Sequence, residues 1–346
     1  CLFVVIGALL FAACPGISAR AQSADHDWEK AAGGKQQFEV ASVRENKAGG
    51  NSNSNFTLDG NGNVYWVMSP DVRTAPRGDL FRATNQPLIR YIIFAYKLNG
   101  TQELALRGAH FKVWAGVGLN VPGWVIDTHY DIEARASAPA TKDQMRLMMQ
   151  SLLAERFKLA VHNETRQAPV FALVLEKPGT LGPDLRPHPA SDTCAATAYP
   201  HAPATGADAE KNGAQKGAAE TNTSQTLPIP CGMIARLPPT APGRHRIGGR
   251  NVTLAMLAES LPAQTGLATF PKPVIDRTGL SGTFDFSLEW SQAVSNDMAL
   301  GPNAPGEGSG PSIAQAIKQQ LGLKLDSTRG PVELLVIDHV EPPTAN

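Results

Sequence analysis

Strand-like and helical patterns of apolar residues follow one another in the same order twice along the chain. Each half reads strand, helix, strand, helix, strand, strand. The closing strands share a landmark, because Pro169-Val170 recurs as Pro331-Val332. Such a mixture of strands and helices predicts an α+β fold, in which helices cover one face of antiparallel sheets. We therefore expect two related half-domains, and the repeated order indicates an internal duplication.

The first half is predicted to extend over 38–185. Period-two alternation, which is typical of half-buried strands, marks Phe38–Val43 as a strand. The other main strands of this half are predicted at Tyr130–Ala134, Lys158–Val161 and Val170–Leu175. Two further short runs, Phe56–Leu58 and Val64–Val67, flank a turn rich in Asn and Gly, and this arrangement predicts a β-hairpin.

Helix-capping residues place two helices in this half. Asn85 is a suitable N-cap and Pro87 fits the first turn of a helix that continues to Leu98. The sequence after this helix is irregular up to the strand at Tyr130. Thr141 and Gln144 then form a capping box at the start of the clearest helix in the chain. Its apolar stripe predicts core residues Met145, Met148, Met149, Leu152, Leu153 and Phe157.

The second half is predicted to extend over 245–346. Asn251 and its neighbours cap a helix that Pro262 should end or kink. Gly and Pro dominate 296–310, which predicts a flexible loop, and Ser312 then caps the last helix. The strands of this half are Thr283–Leu288, Lys324–Leu325 and Pro331–Ile337.

The N-terminal segment is expected to direct export rather than to fold. The apolar run Leu2–Ala13 is too short to span a bilayer and is followed by Pro and Gly. A small residue at each of Ala19 and Ala21 predicts cleavage of a 1–21 signal peptide, which leaves a flexible leader at 22–37. A second interpretation takes Cys14 as the acylated cysteine of a lipoprotein. Since the sequence begins without Met or a basic segment, we expect the natural start to lie upstream. A third interpretation is an uncleaved anchor. All three place the rest of the chain outside the cytoplasm, so we expect a secreted or periplasmic protein, with no transmembrane span in the mature chain.

If the chain is exported as expected, its remaining cysteines can form a disulfide. Cys194 and Cys231 remain after cleavage, in a compartment where disulfides persist, and we predict that they pair. They lie within 186–244, a low-complexity excursion with few large apolar residues. Closing this loop is worth about 3–4 kcal/mol in the chain-entropy model. Because the CxxC spacing is lacking, neither a redox pair nor half of a metal site is predicted.

Charge and motif content exclude several classes of function. The sequence has 31 Lys and Arg residues together and 31 Asp and Glu residues together, so its formal net charge is zero. It also has no long basic run, and nucleic acid is therefore not an expected partner. The zinc-peptidase, nucleophile-elbow and P-loop motifs are lacking in the sequence. We therefore predict no catalytic residue, no cofactor and no metal site.

Candidate binding residues are aromatic or strongly polar. Trp114, Trp124 and Tyr130 lie in or beside irregular sequence and can stack on a sugar or a peptide. Their alternative role is to anchor the core or its loops. Arg277, in a tight turn with Gly279, can bind a carboxylate through its guanidinium group. The alternative is that these residues serve only to form the turn.

Two acid–histidine groups mark strand ends. His162 and Glu164 share one face of a strand, and Asp338 and His339 end the last strand. Such groups can share a proton or bind a metal. Solvated side chains at a sheet edge are the alternative.

Several motifs in order resemble one protein family. They are Phe38–Val43, Gly123-Trp124 followed by Tyr130–Ile132, Met149–Leu159 with His162 and Glu164–Arg166, Val274–Phe286, Gln320–Leu325, Gly330–Glu333 and Val336–Glu341. This pattern is similar to the soil-associated secreted proteins of Acidobacteria, a domain of unknown function. The resemblance extends from about Phe38 to the C-terminus and is weakest over 101–121 and the cysteine-flanked excursion. Some relatives carry the domain outside the membrane on zinc peptidases of the antibiotic-sensor type, which implies sensing or binding by analogy.

These observations favour an exported, non-enzymatic binding, sensing or envelope-interaction protein. Its expected partner is a small molecule, a glycan, a peptide or an envelope protein. One alternative is a secreted hydrolase that uses His162, Glu164, or His339 with Asp338. Another is a structural subunit that pairs through its sheet edge.

Overall fold

The computed structural model describes residues 27–56, 58, 64–65, 78–110, 117, 119–192, 194, 229, 231–265, 269–291 and 310–343. The predictions for the signal peptide, for Trp114 and for nearly all of the 296–310 loop lie outside these residues. The same holds for most of the segment between the cysteines.

The described residues form helices and strands in alternating groups. The helices are α1 Asp27–Ala31, α2 Leu88–Ala95, α3 Gly100–His110, α4 Gly123–Asp127, α5 Lys142–Arg156, α6 Leu254–Thr265 and α7 Ile313–Ala316, which a π-helical turn continues over Ile317–Leu321. The strands are β1 Val40–Glu45, β2 Asn53–Ser54, β3 Val64–Tyr65, β4 Gly78–Pro87, β5 His129–Ala140, β6 Ala160–Leu175, β7 Leu185–Pro187, β8 Met233–Leu237, β9 Arg244–Val252, β10 Val274–Asp276, β11 Phe284–Ser291 and β12 Leu323–His339.

The strands form three sheets within the described residues. The N-terminal sheet has the order β1-β5-β4-β2, and the C-terminal sheet has the order β3-β8-β9-β11-β7. A third sheet, which we call the central ribbon, has the order β10-β6-β12. Most neighbouring strands are antiparallel, and the exceptions are β3 with β8 and β10 with β6. The predicted α+β class with antiparallel sheets is therefore confirmed.

The order of elements is similar in the two halves. The first half contains β4, α2, β5, α5 and β6 in this order, with α3 and α4 inserted before β5. The second contains β9, α6, β11, α7 and β12, with β10 inserted before β11. In each case the first two strands of the set pair antiparallel.

Apolar side chains on one face of the N-terminal sheet pack against α2 and α5. Phe81 and Ile132 of the sheet are fully buried against Ile92 of α2 and Met149 of α5. Alternate residues of the same strands point away from this core, as the period of a strand requires. The opposite face of the sheet is thus left open.

The two capping boxes position the ends of their helices. The Thr141 hydroxyl accepts from the N–H of Gln144, and the Gln144 side chain accepts from the N–H of Thr141. Ser312 and Gln315 make the same reciprocal pair at α7. Both helix starts predicted from these residues are confirmed, and Pro262 lies inside α6, which continues to Thr265.

The closing strands differ from the prediction. Each half was expected to end in two short strands, but β6 and β12 are single long strands that pair antiparallel with each other. The register runs from Leu323 opposite Leu175 to Ile337 opposite Val161. Polar residues that interrupt the apolar pattern lie along the exposed part of this ribbon, so they do not break the strands.

This ribbon interlocks the two halves. Leu335 of β12 is buried in the core of the first half, and Leu173 of β6 is buried in the core of the second. The N–H of Glu341 also donates to the carbonyl of Phe157 at 2.7 Å. Each core therefore contains side chains from the other half's long strand.

Two local predictions fare differently from the rest. Val64 and Tyr65, which were predicted to belong to a hairpin with Phe56–Leu58, pair in parallel with β8, and the turn and most other residues of that hairpin lie outside the described residues. The predicted helix cap at Asn85 is wrong. Asn85 does not cap α2, since it has a positive φ of 51° in β4 and its N–H donates to Asp131 at 2.7 Å. Pro87 is instead the residue at the helix N-cap.

The region expected to be irregular also contains helices. Gly100–His110 forms α3, which packs against the ribbon, and Gly123–Asp127 forms α4. Part of the expected leader forms α1.

A buried arginine on α5 makes stability depend on pH. Arg146 is 4% exposed, pairs with Asp143 and donates to the carbonyl of Phe94 at 3.1 Å. Burial alone would raise the pKa of Asp143, but the hydrogen bonds and charges of Arg146 and Lys97 lower it below its usual value. Because the pKa is lower in the folded chain, this stabilisation is complete above the unfolded pKa and is lost as pH falls through the folded pKa.

Replacing Asp143 by Asn should therefore lower the free energy of unfolding at about pH 7, and less so at about pH 3. Urea unfolding at the two pH values measures the difference. Asp326→Asn, at an exposed position of β12, is the matched control. A cost for Asp143→Asn that is the same at both pH values would contradict the linkage.

Candidate functional site

A buried histidine–aspartate pair lies at the edge of the C-terminal sheet. Strand β7 pairs antiparallel with β11, which places Arg186 opposite Asp285 and brings His188 to the same side. His188 Nδ1 is 2.7 Å from Asp285 Oδ1. The two side chains are only 6% and 9% exposed. Since a carboxylate can only accept, the pairing orients the imidazole with Nδ1 as donor.

A β-bulge supplies the second partner of Asp285. Between Phe284 and Phe286 the register of β9 and β11 shifts, so that Asp285 faces two residues of β9, Arg250 and Asn251. Asn251 has a positive φ of 55° and donates its N–H to Asp285 Oδ1 at 2.9 Å. Bulges of this kind re-aim side chains and are common beside functional sites.

The other ring nitrogen of His188 faces the disulfide. Cys194 and Cys231 are bonded, as predicted, with their Cα atoms 5.5 Å apart. His188 Nε2 lies 3.4 Å from Cys194 Sγ, and the Asn251 side-chain amide donates to the same sulfur at 3.0 Å. We call His188, Asp192, Cys194 and Cys231 the His–Cys cluster.

Asp192 is held in this cluster by a buried guanidinium. Arg250, whose side chain is 7% exposed, donates to Asp192 Oδ2 at 2.6 and 3.2 Å. The N–H of Cys194 donates to Asp192 Oδ1 at 3.1 Å. The hydrogen bond from Arg250, then that from Cys194, lowers the pKa of Asp192. The carboxylate is consequently ionised at neutral pH.

The chemistry of the His–Cys cluster depends on the state of its sulfurs. In a disulfide neither sulfur is a thiolate, and the thiolate is the nucleophile and the metal ligand. His188 beside a bonded Cys194 therefore acts as a polar neighbour of the bridge. A pocket of about 330 Å³ lined by Arg186 and Arg246 lies beside Asp285.

The predicted aromatic and turn residues are separated in the structure. Trp124 packs half-buried on α4 against the first core, and Trp114 lies outside the described residues. Tyr130 is 2% exposed, packs edge-on against Phe157, and has a raised pKa because it is buried. Arg277 is exposed in its turn near the ribbon. The described members of this group therefore do not line one groove.

The predicted acid–histidine residues form a surface chain on the ribbon. His162 Nδ1 is 2.8 Å from Asp338 Oδ1, and its Nε2 is 3.8 Å from Glu164. His339 pairs separately with Glu341 at 2.9 Å. The side chains of His162 and Asp338 are 49% and 47% exposed, so this group does not have the buried acid that a hydrolase site would need.

Glu164 is also unsuited to donate a proton near neutral pH. Two hydrogen bonds from Arg166, at 2.7 and 2.8 Å, lower the pKa of Glu164. A general acid needs a pKa near the working pH. Arg166, Glu164, His162 and Asp338 thus form a chain of polar contacts that is half-buried at Arg166 and exposed at His162 and Asp338.

The open face of the N-terminal sheet forms a groove of about 570 Å³. Three arginines line it on three strands, Arg44 on β1, Arg82 on β4 and Arg135 on β5. We call it the arginine groove. Glu133 pairs with Arg82 at 2.9 Å, and Asp79 pairs with Arg135. Among the described residues, Arg44 has no ion-pair partner.

Reasoning from the sequence missed His188, Asp285 and Arg250. His188 and Asp285 are 97 residues apart, and only the pairing of β7 with β11 brings them together. One signal for His188 was available in the sequence. It lies six residues before Cys194, a cysteine that was predicted to form a disulfide.

These observations define a mixed α+β protein with a buried His–Asp pair against a disulfide and an open, arginine-lined sheet face. The chain belongs to the DUF3738 family of proteins of unknown function, whose family model matches residues 90–340. The prediction of a domain of unknown function is thereby confirmed. Neither curated proteins nor solved structures gave a match to the chain. Within the described residues, no helix has the length and apolar character needed to cross a membrane.

Proposed function

We propose that the protein is an exported, non-enzymatic binding module that holds an acidic, extended peptide segment in the arginine groove. The observation that carries this proposal is the placement of three guanidinium groups on one open sheet face. Arginine recognises carboxylates with paired, charge-assisted hydrogen bonds. Strand alternation places these groups on the face opposite the core.

The charge and lining of the groove favour this ligand class. Arg44, Arg82 and Arg135 face two lining carboxylates, Asp131 and Glu133. Asp131 is occupied by the side chain of Asn46 and the N–H of Asn85. The described lining residues include no aromatic side chain, which a sugar would use for stacking. An acidic peptide therefore fits better than a neutral glycan.

Export is part of the proposal. It is supported by the apolar run Leu2–Ala13 and by the bond between Cys194 and Cys231, which persists in oxidising compartments. We further propose that the protein belongs with the soil-associated proteins of Acidobacteria that its motifs resemble. Relatives attached to membrane zinc peptidases suggest, by analogy, that the module senses its ligand.

Binding can be tested by thermal shift with an oligoglutamate peptide, an oligolysine peptide and a neutral oligosaccharide. A ligand that binds only the folded chain raises the thermal midpoint. We expect oligoglutamate alone to do so, with an effect that weakens as salt screens the exposed charges. Stabilisation by the neutral oligosaccharide alone would contradict the proposed ligand class.

The variant Arg44→Ala should weaken oligoglutamate binding by about tenfold, since a hydrogen bond to a charged group is worth about 1.5–3 kcal/mol. Arg44 is chosen because it has no ion-pair partner among the described residues. Its replacement therefore breaks no ion pair there, and a loss of affinity reports on the ligand. Arg329→Ala, at an exposed arginine on the ribbon, is the matched control. Equal affinities of the two variants would place the binding surface elsewhere.

A further inference from the structure

Four potential metal ligands converge in the His–Cys cluster. One ligand atom from each of His188, Asp192, Cys194 and Cys231 lies within 4.8 Å of the other three. A tetrahedral Zn²⁺ site is built from such a set, with Cys sulfur at about 2.3 Å and His nitrogen at about 2.0 Å from the metal. In the disulfide state the two sulfurs are bonded to each other and cannot act as thiolate ligands.

We propose that reduction of the Cys194–Cys231 disulfide converts the His–Cys cluster into a Zn²⁺ site. His188 Nε2 and the two thiolates are its ligands, and Asp192 is the fourth. The same four side chains thus hold either a covalent bridge or a metal ion. This site lies in the C-terminal half and does not rest on ligand binding in the arginine groove.

The imidazole of His188 is already oriented for a metal. Its Nδ1 is fixed by Asp285 at 2.7 Å, and Asp285 is itself fixed by the N–H of Asn251 at 2.9 Å. Metal-binding histidines usually donate their second nitrogen to a carboxylate in this way, which leaves the other nitrogen free to coordinate. Here the free nitrogen, Nε2, faces Cys194 Sγ at 3.4 Å.

The surroundings also suit two thiolates. The Asn251 amide donates to Cys194 Sγ at 3.0 Å, and the same hydrogen bond stabilises a thiolate. The buried Arg250 balances the charge of Asp192 at 2.6 Å. Zn²⁺ then balances the two thiolates. A Cα separation of 5.5 Å between the cysteines lets the sulfurs move apart onto one metal ion without a large backbone shift.

The conversion needs a dithiol as reductant. The dithiol transfers two electrons and two protons to the bridge and becomes a disulfide itself. Zn²⁺ then displaces the protons from the two thiols into solvent. An oxidant such as peroxide reverses the change, since it takes two electrons from the thiolates, re-forms the bridge and releases the metal. The ends of the segment between the cysteines stay joined in both states.

Cobalt binding tests this site in the 346-residue chain with Cys1 and Cys14 replaced by Ser, so that Cys194 and Cys231 are the cysteines that remain. The protein is reduced with a phosphine, which leaves no competing thiol, and is titrated with Co²⁺ and then Zn²⁺. We expect one Co²⁺ per chain, with the strong visible absorption of tetrahedral cobalt thiolate, displaced by Zn²⁺. The oxidised protein should show no such absorption.

His188→Gln should weaken Co²⁺ binding at least about tenfold, because removing even a partner of a metal ligand costs that much. His245→Gln, which replaces a histidine stacked on Trp290, is the matched control and should bind as the parent does. Reduced protein that takes up no Co²⁺, or His188→Gln that binds like the parent, overturns the proposal.

A second measurement applies even if His188→Gln does not fold. Zn²⁺ should protect both thiols of the reduced parent protein from alkylation and raise its thermal midpoint. Thiols that alkylate at the same rate with and without Zn²⁺ also overturn the proposal.

Discussion

Replacing Leu335 by Ala is expected to lower the free energy of unfolding by about 2–5 kcal/mol and to destabilise both halves of the protein together. Leu335 is 2% exposed and belongs to the last strand, yet it packs in the core of the first half. Removing its side chain leaves a cavity that the surrounding residues fill only in part. Leu173→Ala is expected to have the reciprocal effect, because Leu173 lies in the first half's long strand and is buried in the second core.

Single-tryptophan variants can follow the two halves separately during urea unfolding. Trp124 packs against the first core and Trp290 is buried in the second. We expect both probes to report the same midpoint, and Leu335→Ala to shift both equally, since a cooperative unit unfolds in one transition. Val40→Ala is the control. Val40 is 62% exposed, so its loss should change the free energy of unfolding by less than about 0.5 kcal/mol.

Two separate transitions would give a different picture of the molecule. They would mean that 38–185 and 245–346 unfold independently and that the ribbon contributes little coupling. Leu335→Ala would then shift the midpoint reported by Trp124 and leave that reported by Trp290 unchanged.

Features that depend on neighbours in sequence were predictable. The capping box of Thr141 with Gln144 needs only four consecutive residues, and its helix begins where expected. The apolar stripe of that helix likewise predicted buried residues such as Met149 and Phe157. The α+β class followed from the same local patterns.

Features that depend on distant pairing were not predictable. The polar stretch within β6 suggested two short strands, because nothing local shows that β12 pairs along its whole length. The local pattern predicts Asn85 as a helix cap, but Asp131, 46 residues away, accepts a hydrogen bond from its N–H and holds it in the strand. Local preference was overridden by tertiary contacts in both cases.

The candidate site divides in the same way. The bond between Cys194 and Cys231 was predicted from the expectation of export, which leaves these two cysteines as each other's partners. His162 and Glu164 were correctly placed on one face by the strand period, but the contact of His162 with Asp338 spans 176 residues and needs the ribbon register. The pairing of His188 with Asp285 needs both a strand pairing and a bulge, which no local pattern marks.

Loss of the disulfide is also expected to lower the free energy of unfolding by a large amount. The double variant Cys194→Ser, Cys231→Ser should lower the free energy of unfolding by about 3–4 kcal/mol, because the open chain regains the entropy that closing a 37-residue separation had removed. The folded state also loses the contacts of His188 and Asn251 with Cys194 Sγ. Urea unfolding of oxidised protein in the presence of a chelator measures this effect, since no metal can then replace the bridge.

Cys1→Ser with Cys14→Ser is the matched control, because it removes two cysteines and leaves the bridge in place. Its free energy of unfolding should match that of the parent within about 0.5 kcal/mol.

Refolding and unfolding rates show when the two ends of the loop meet. If they meet before the transition state, loss of the bridge should mainly lower the refolding rate. If they meet after it, loss of the bridge should mainly raise the unfolding rate. A double variant as stable as the control would mean that the contacts of β7 with β11 and of Asp192 with Arg250 already join the ends of the segment without the bond. The His–Cys cluster would then be held together by its polar contacts rather than by its sulfurs.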